Sequence, residues 1–424
     1  MTDQGTGTRV PFDEDCGEGL DEGFGQSLVE GMGRRLDEED GAGCTGYVAE
    51  GFEEVADAFR TNLRERGDTG AAVCVYHRGA PVVDLVGGCF RRDSVQVIRS
   101  ASKGVVAVLA HVLAQRGDLD FDMPVAEVWP EFGQEGKGRI PVRWLFTHQA
   151  GVTALDRGLT VEDILGWAPA AQAVAAQRPN WEPGTAHGYH DLTYGWLTGE
   201  VLRRLTGRTV GALVRRELAE PLGLDLWIGL PPEVRPRLTK TLPAPPPSAE
   251  LRDDRQAKAL REALADPGSF AHKALLNPDI FDVEHTSAYL SAEVPAANGV
   301  SDARSLARLY AAVVGEVDGV RLLSDDAVRA AATEQARGVD RVVGYFRRYA
   351  TGFMLPDPTR PMGGLDTACF GHYGMGGSVA FADPEHTLGF GYTTVQDQAH
   401  VGADPRSRSL AEAAWRCAAR RAPA

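Results

Sequence analysis

Apolar positions change their spacing twice along the chain, and each change marks a different kind of element. Over residues 47–66, Val48, Phe52, Val55, Phe59 and Leu63 recur at helical intervals, with Arg64 and Arg66 before Gly67, which predicts an amphipathic helix. Residues 70–88 (GAAVCVYHRGAPVVDLVGG) carry two β-branched-rich runs around Arg78-Gly79, the pattern of a hairpin with one buried face. From Arg99 the text turns helical for some 200 residues, broken by Pro- and Gly-rich connectors such as PLGLDLWIGLPPEVRPRL and TLPAPPPSAE. Strand signals return at 342–355, 376–382 and 387–395, with Asp383-Pro384-Glu385-His386 as the turn between the last two. Residues 403–421 close the chain as a helix capped by Asp404 or Ala403.

These elements predict an α/β fold of the α+β type, in which an antiparallel sheet is flanked by N- and C-terminal helices and joined to a large helical lobe. The catalytic body spans 47–421, its α/β part being 47–99 and 340–421 and its helical part 100–339, with the ligand site in the cleft between them. Residues 1–46 read differently. The first 50 residues hold 13 acidic side chains against Arg9, Arg34 and Arg35, with glycine throughout, so 1–46 is expected to be an acidic, disordered extension with one helix near 26–40.

Charge and motif inspection then remove several function classes. Forty-four basic against fifty-nine acidic residues give a net charge of −15, which repels polyanions and argues against a nucleic-acid partner. The longest nearly apolar run, GVVAVLAHVLA at 104–114, is too short for a bilayer and carries His111, so no membrane partner is expected. An acidic N-terminus without an apolar h-region makes the cytoplasm the expected location. H-E-x-x-H is absent, the six cysteines form no C-x-x-C pair, and the G-x-G-x-x-G at Gly41, Gly43 and Gly46 follows LDEED rather than a strand; no metal and no cofactor are expected. No serine stands in G-x-S-x-G.

What remains points to a different serine chemistry. The chain has five lysines against 39 arginines, and one of the five, Lys103, stands three residues after Ser100 in VIRSASKGVVAVLAHVL, where a strand-like run gives way to an apolar helix. Both side chains then project from one face of the first turn. A lysine desolvated beside an apolar helix can give up its proton, whereas a guanidinium cannot. Two further elements accompany this pair: WEPGTAHGYHDLTYGWLTG, which delivers Tyr189 just before a helix, and FGHYGMGGSVAFA, in which His372-Tyr373-Gly374 opens the penultimate strand.

Ser100-x-x-Lys103, Tyr189-His190-Asp191 and His372-Tyr373-Gly374 resemble, in order and spacing, the S-x-x-K, Y-x-N and K-T-G boxes of the serine β-lactamase and penicillin-binding-protein superfamily, specifically its class C-like branch of esterases and transesterases. Flanking text is similar as well, including VRWLFTHQAGV and VPAANGVSDARSLARLYAAV, and the resemblance covers about residues 50 to 420. It implies Ser100 as nucleophile, Lys103 and Tyr189 as the groups that together take its proton, and the backbone N–H groups of Ser100 and Met375 as the oxyanion hole. It implies substrate contacts from His190, Asp191, His372, Tyr373 and Gly374. The departures point away from lactams: Asp191 puts an acceptor-only carboxylate where the pattern has an amide, and His372 removes the lysine that would hold a drug's carboxylate. An imidazole at 372 is expected to make the rate depend on pH between about 5 and 8.

The implied activity is that of a serine carboxylesterase on small or medium acyl esters. The alternative is a transacylase passing the acyl group to an amine or alcohol in small-molecule biosynthesis; a non-catalytic binder of acyl ligands comes third. The expected partners are an ester substrate and a nucleophilic acceptor.

Overall fold

Strands Gly70–His77 (β3) and Ala80–Gly88 (β4) form the expected hairpin, and Arg78 and Gly79 both take positive φ, 52° and 82°, as a two-residue turn matched to strand twist requires. The computed structural model describes the backbone of residues 33–36 and residues 43–246, 254–398 and 404–421. Phe370–Tyr373 (β10), Val379–Asp383 (β11) and Leu388–Thr394 (β12) lie on the other side of β3. With Gly33–Leu36 (β1) and Cys44–Ala49 (β2) they complete a seven-stranded sheet of order β1-β2-β4-β3-β12-β11-β10, antiparallel at every pairing.

Period-two alternation gives this sheet two apolar faces. Val73, Val75, Val379 and Phe381 share a buried cluster with Phe59 of helix Glu53–Glu65 (α1) and Leu410 of helix Pro405–Ala419 (α7). Cys74, Tyr76, Ala380 and Ala382 point the other way, into a cluster with Val105 and Leu109 of helix Ala101–Gln115 (α2) and Leu306 and Tyr310 of helix Ala303–Val314 (α6). Gly389 and Gly391 of β12 make room for α6. A Cβ on Gly389 would lie 2.3 Å from the Ala307 carbonyl oxygen, and one on Gly391 would lie 2.2 Å from that of Ala303.

The helical lobe contains helix Leu192–Thr206 (α3), helix Arg255–Ala265 (α4) and helix Phe270–Leu275 (α5). A small sheet of Gln96–Val97 (β5), Leu226–Ile228 (β6) and Gly299–Ser301 (β7) links it to the segment before α2. Among the described residues no helix is long and apolar enough to cross a membrane.

Several expectations are corrected here. The range 47–66 is not one helix: Val48 belongs to β2, opposite Val83, and the chain turns through Gly51 (φ 82°) before α1 begins. In the range 26–40, Gly33–Leu36 is strand rather than helix, paired with β2; 26–32 and 37–40 lie outside the described residues, as does most of the acidic extension 1–46. Cys44 to Gly46 are already in the sheet. The α6 helix, assigned by sequence to the helical part, packs on the sheet face, because its buried positions complete that face. The strand expected over 342–355 is confined to Phe346–Tyr349 (β9), which pairs with Ala336–Val339 (β8) outside the seven-stranded sheet. His372 and Tyr373 close β10, the edge strand, rather than opening the penultimate strand.

Candidate active site

Ser100 is the residue before α2, and the backbone reaches it through Arg99 at φ 45°, a region that a side chain with a Cβ rarely adopts. Arg99 is buried and held on all sides. Its Nε and NH2 donate to the two Glu284 carboxylate oxygens at 3.0 and 2.7 Å, and its NH1 donates to Asp397 at 2.8 Å. That NH1 also donates to the Met375 carbonyl at 3.3 Å. The residue in front of Ser100 is therefore tied to the loop that follows β10. Arg406 fastens the same loop from α7, donating to the Gly376 carbonyl at 3.0 Å. Gly376 is obligatory there: its φ is 90°, and a Cβ would lie 2.0 Å from an Asp397 carboxylate oxygen.

Lys103 follows one turn after Ser100 and is fully buried. Its Nζ donates to Ser100 Oγ at 3.0 Å, to Asp191 Oδ1 at 3.2 Å and to the Ala296 carbonyl at 3.0 Å. It also stands 4.8 Å from the centre of the Tyr189 ring. Burial works against the charge on Lys103, but Tyr189 and the Asp191 carboxylate outweigh it and hold the ammonium above the ordinary lysine range. Desolvation alone does not free this lysine of its proton, contrary to the expectation from its apolar helix.

Tyr189 is positioned through its backbone. Its N–H donates to Asp340 Oδ1 at 3.1 Å, and its carbonyl accepts from Thr153 Oγ1 at 2.8 Å. Asp340 also accepts the Val342 and Val343 N–H groups, so one buried carboxylate fixes the approach of the 340s loop to the tyrosine.

The structure sorts the remaining expected residues into two groups. Ser100, Tyr189, Asp191, Tyr373, Gly374 and Met375 all line one cavity of about 340 Å³. Among the described residues the N–H groups of Ser100 and Met375 have no backbone acceptor, as an oxyanion hole requires. His190 and His372 do not line the cavity. His190 is fully buried, with Nε2 accepting the Val152 N–H at 3.1 Å and Nδ1 2.8 Å from the Gly188 carbonyl, so it braces the loop and has no nitrogen left for a substrate. His372 is buried with Nδ1 2.8 Å from the Tyr373 carbonyl. Burial first, and the Lys103 charge next, hold its imidazole well below the ordinary histidine range, which counts against the pH dependence expected of it near neutrality. Asp191 faces the cavity, yet its carboxylate is spent on Lys103 rather than left for a ligand.

Sequence reasoning missed Arg99, Glu284, Asp397 and Asp340. None of them stands in a recognisable motif, and their partners are 151 to 298 positions away along the chain. Also missed was the apolar wall of the cavity, formed by Leu260 and Leu264 of α4, Leu275, Leu276, Ile280 and Phe281. The i, i+4 spacing of Leu260 and Leu264, the two large apolar residues of α4, is the one signal that pointed to it.

A serine bonded to a lysine one turn on, with a tyrosine presented from the helical lobe and a glycine-bearing strand end opposite, defines the β-lactamase and transpeptidase class of serine enzymes. Comparison with known proteins agrees: the family model described as Beta-lactamase matches residues 55–414, and the chain belongs to that family. It is 37% identical over 353 residues to "Esterase/beta-lactamase LipL" of Mycobacterium tuberculosis (strain ATCC 25618 / H37Rv), covering 80% of each chain. Among solved structures it is similar to EstA from Arthrobacter nitroguajacolicus Rue61a, with a TM-score of 0.80 and 35% identity over 89% of this chain and 99% of that one. It is also similar to a family VIII carboxylesterase, with a TM-score of 0.76 and 35% identity over 88% and 99%.

Proposed function

We propose that the protein is a serine carboxylesterase that works through an acyl-enzyme on Ser100. The observation that carries this reading is the Lys103 Nζ to Ser100 Oγ bond of 3.0 Å at the floor of a cavity with an apolar wall. Ser100 Oγ attacks the ester carbonyl while its proton passes to the Lys103–Tyr189 unit. The charged lysine keeps that unit next to the serine, and the negative charge on the carbonyl oxygen falls between the Ser100 and Met375 N–H groups. Collapse of the tetrahedral adduct breaks the bond to the alcohol, which leaves with a proton returned by the same unit. Water then repeats the cycle on the acyl-enzyme and releases the acid.

The substrate class is a small-molecule acyl ester, and the cytoplasmic placement expected from the sequence is part of this proposal. A panel of p-nitrophenyl esters with acyl chains of two to eight carbons tests the reading, run with and without added alcohols and amines and with product identification. Release of the free acid at a rate that the additives leave unchanged supports the esterase. Acyl transfer to the additive as the main product would support a transacylase instead, and no turnover of any ester would refute both.

A further inference from the structure

Among the described residues, one cation that lines the active-site cavity forms no ion pair. The lining carboxylates are each taken: Asp191 by Lys103, Glu284 by Arg99 and Asp404 by Arg406. The lining Arg347 has Asp357 at 3.4 Å, and its NH1 also donates to Thr359 Oγ1 and to the Phe346 carbonyl. Arg360 lines the same cavity and pairs with no carboxylate among the described residues. Its NH1 reaches only the Met354 sulfur at 3.3 Å, a weak acceptor, and its buried Nε has no hydrogen-bond partner. The guanidinium carbon lies 5.5 Å from the Tyr373 ring centre, beside the strand end that leads to Gly374 and Met375.

A guanidinium left so is costly, and the site is consistent about the sign of what is missing. Burial, and then the like charge of Arg347, loosen the hold of Arg360 on its proton, and the nearby Tyr349 and Asp357 offset this only in part, so that an added anion would act in the missing direction. Its N–H donors form a planar fork that suits a carboxylate, and the Tyr373 ring stands beside it within cation–π range. We propose that Arg360 is the binding residue for a carboxylate carried by the ester substrate, which places the preferred substrates among acyl esters that bear a free acid group as well as an apolar part. This rests on the esterase reading above and narrows it. It also reverses an expectation drawn from position 372: the cation that His372 does not provide comes from the loop before β10.

Two matched pairs of esters test it. One carries the acid on the acyl side, the p-nitrophenyl monoester of glutaric acid against the same compound capped as its methyl ester. The other carries it on the alcohol side, 4-(butyryloxy)benzoate against its methyl ester. The expected result is that in one pair the wild-type enzyme favours the anion by about tenfold or more in kcat/KM, the worth of one charge-assisted bidentate contact. Arg360→Gln abolishes that ratio and Arg360→Lys keeps part of it. No preference for the anion in either pair, or a preference that survives Arg360→Gln, overturns the proposal while turnover of the neutral esters leaves the esterase reading standing. If no ester is turned over, calorimetry of glutaric acid monoanilide on Ser100→Ala decides independently: binding that Arg360→Gln weakens about tenfold supports the subsite, and equal or absent binding refutes it.

Discussion

Replacing Lys103 separates its charge from its exchangeable proton, and the structure sets the size of both effects. Lys103→Met keeps the length of the side chain but deletes the bonds to Ser100 Oγ, Asp191 and the Ala296 carbonyl. The orphaned carbonyl costs about 1–3 kcal/mol. Asp191 adds less than a buried carboxylate would, because its side chain is 23% exposed and water screens it. The folded state is therefore expected to lose on the order of 2–3 kcal/mol, which lowers the melting temperature by several degrees and leaves the enzyme folded at 25 °C. Catalysis suffers more. Loss of the group that holds and shares the serine proton is worth on the order of 10²- to 10⁴-fold in kcat/KM, or about 3–5 kcal/mol of barrier. Lys103→Arg is expected to fall into the same range despite its retained charge, because the guanidinium exchanges no proton and the fully enclosed Nζ site has no space for its extra atoms. The assay is steady-state hydrolysis of p-nitrophenyl butyrate beside thermal unfolding of each variant. A folded Lys103→Arg enzyme with more than about a tenth of wild-type kcat/KM would refute the proton-sharing role and leave Lys103 as a purely electrostatic residue.

Truncation at residue 46 should destabilise the protein markedly, since it removes β1 and half of β2, including the buried Cys44, from the edge of the sheet; a melting temperature within a degree of wild type would refute the strand assignment. Acid should destabilise the fold through its buried histidines. His111 and His190 are both held neutral, with pKa values pushed down to about 4 chiefly by burial, so the unfolded chain takes up protons first as pH falls below about 6.5. Stability contributed by each ring is complete above that pH and falls toward pH 4, by about 2 kcal/mol per ring at pH 5. Denaturant unfolding at pH 7.5 and 5 measures it, and a His111→Gln variant with an unchanged difference between the two pH values would contradict the assignment. Ser102→Ala should keep catalysis but lose on the order of 1–3 kcal/mol, because Ser102 Oγ accepts the buried Gly299 N–H at 2.9 Å and donates to the Arg99 carbonyl at 2.5 Å; a fully stable or an inactive variant would count against this.

The reach of the sequence followed the range of the forces involved. The β3–β4 hairpin, α2 and α7 were legible because alternation, turn residues and caps act over a few positions, as Arg78-Gly79 and the Asp404 cap show. Val48 and Phe52 fell into a helical spacing by coincidence: the pairing of Val48 with Val83, a contact 35 residues away, decides that it is strand. The grouping of Ser100, Lys103 and Tyr189 was legible because each stands in a box whose spacing is itself informative. Which neighbours touch substrate was not. His190 and Asp191 are adjacent in sequence, yet one turns into the loop's own hydrogen bonds and the other onto Lys103. The ion pairs that hold Arg99 and isolate Arg360 depend on segments brought together only by the fold, and one arginine among thirty-nine announces nothing by its position.

In the proposed reaction Ser100, and not another serine, carries the acyl group. Intact-mass spectrometry of the protein treated with a fluorophosphonate probe, for wild type, Ser100→Ala and Ser102→Ala, tests it most directly. A single adduct is expected on wild type and on Ser102→Ala, with peptide mapping to Ser100, and none on Ser100→Ala; an adduct of full yield on Ser100→Ala would contradict the assignment of Ser100.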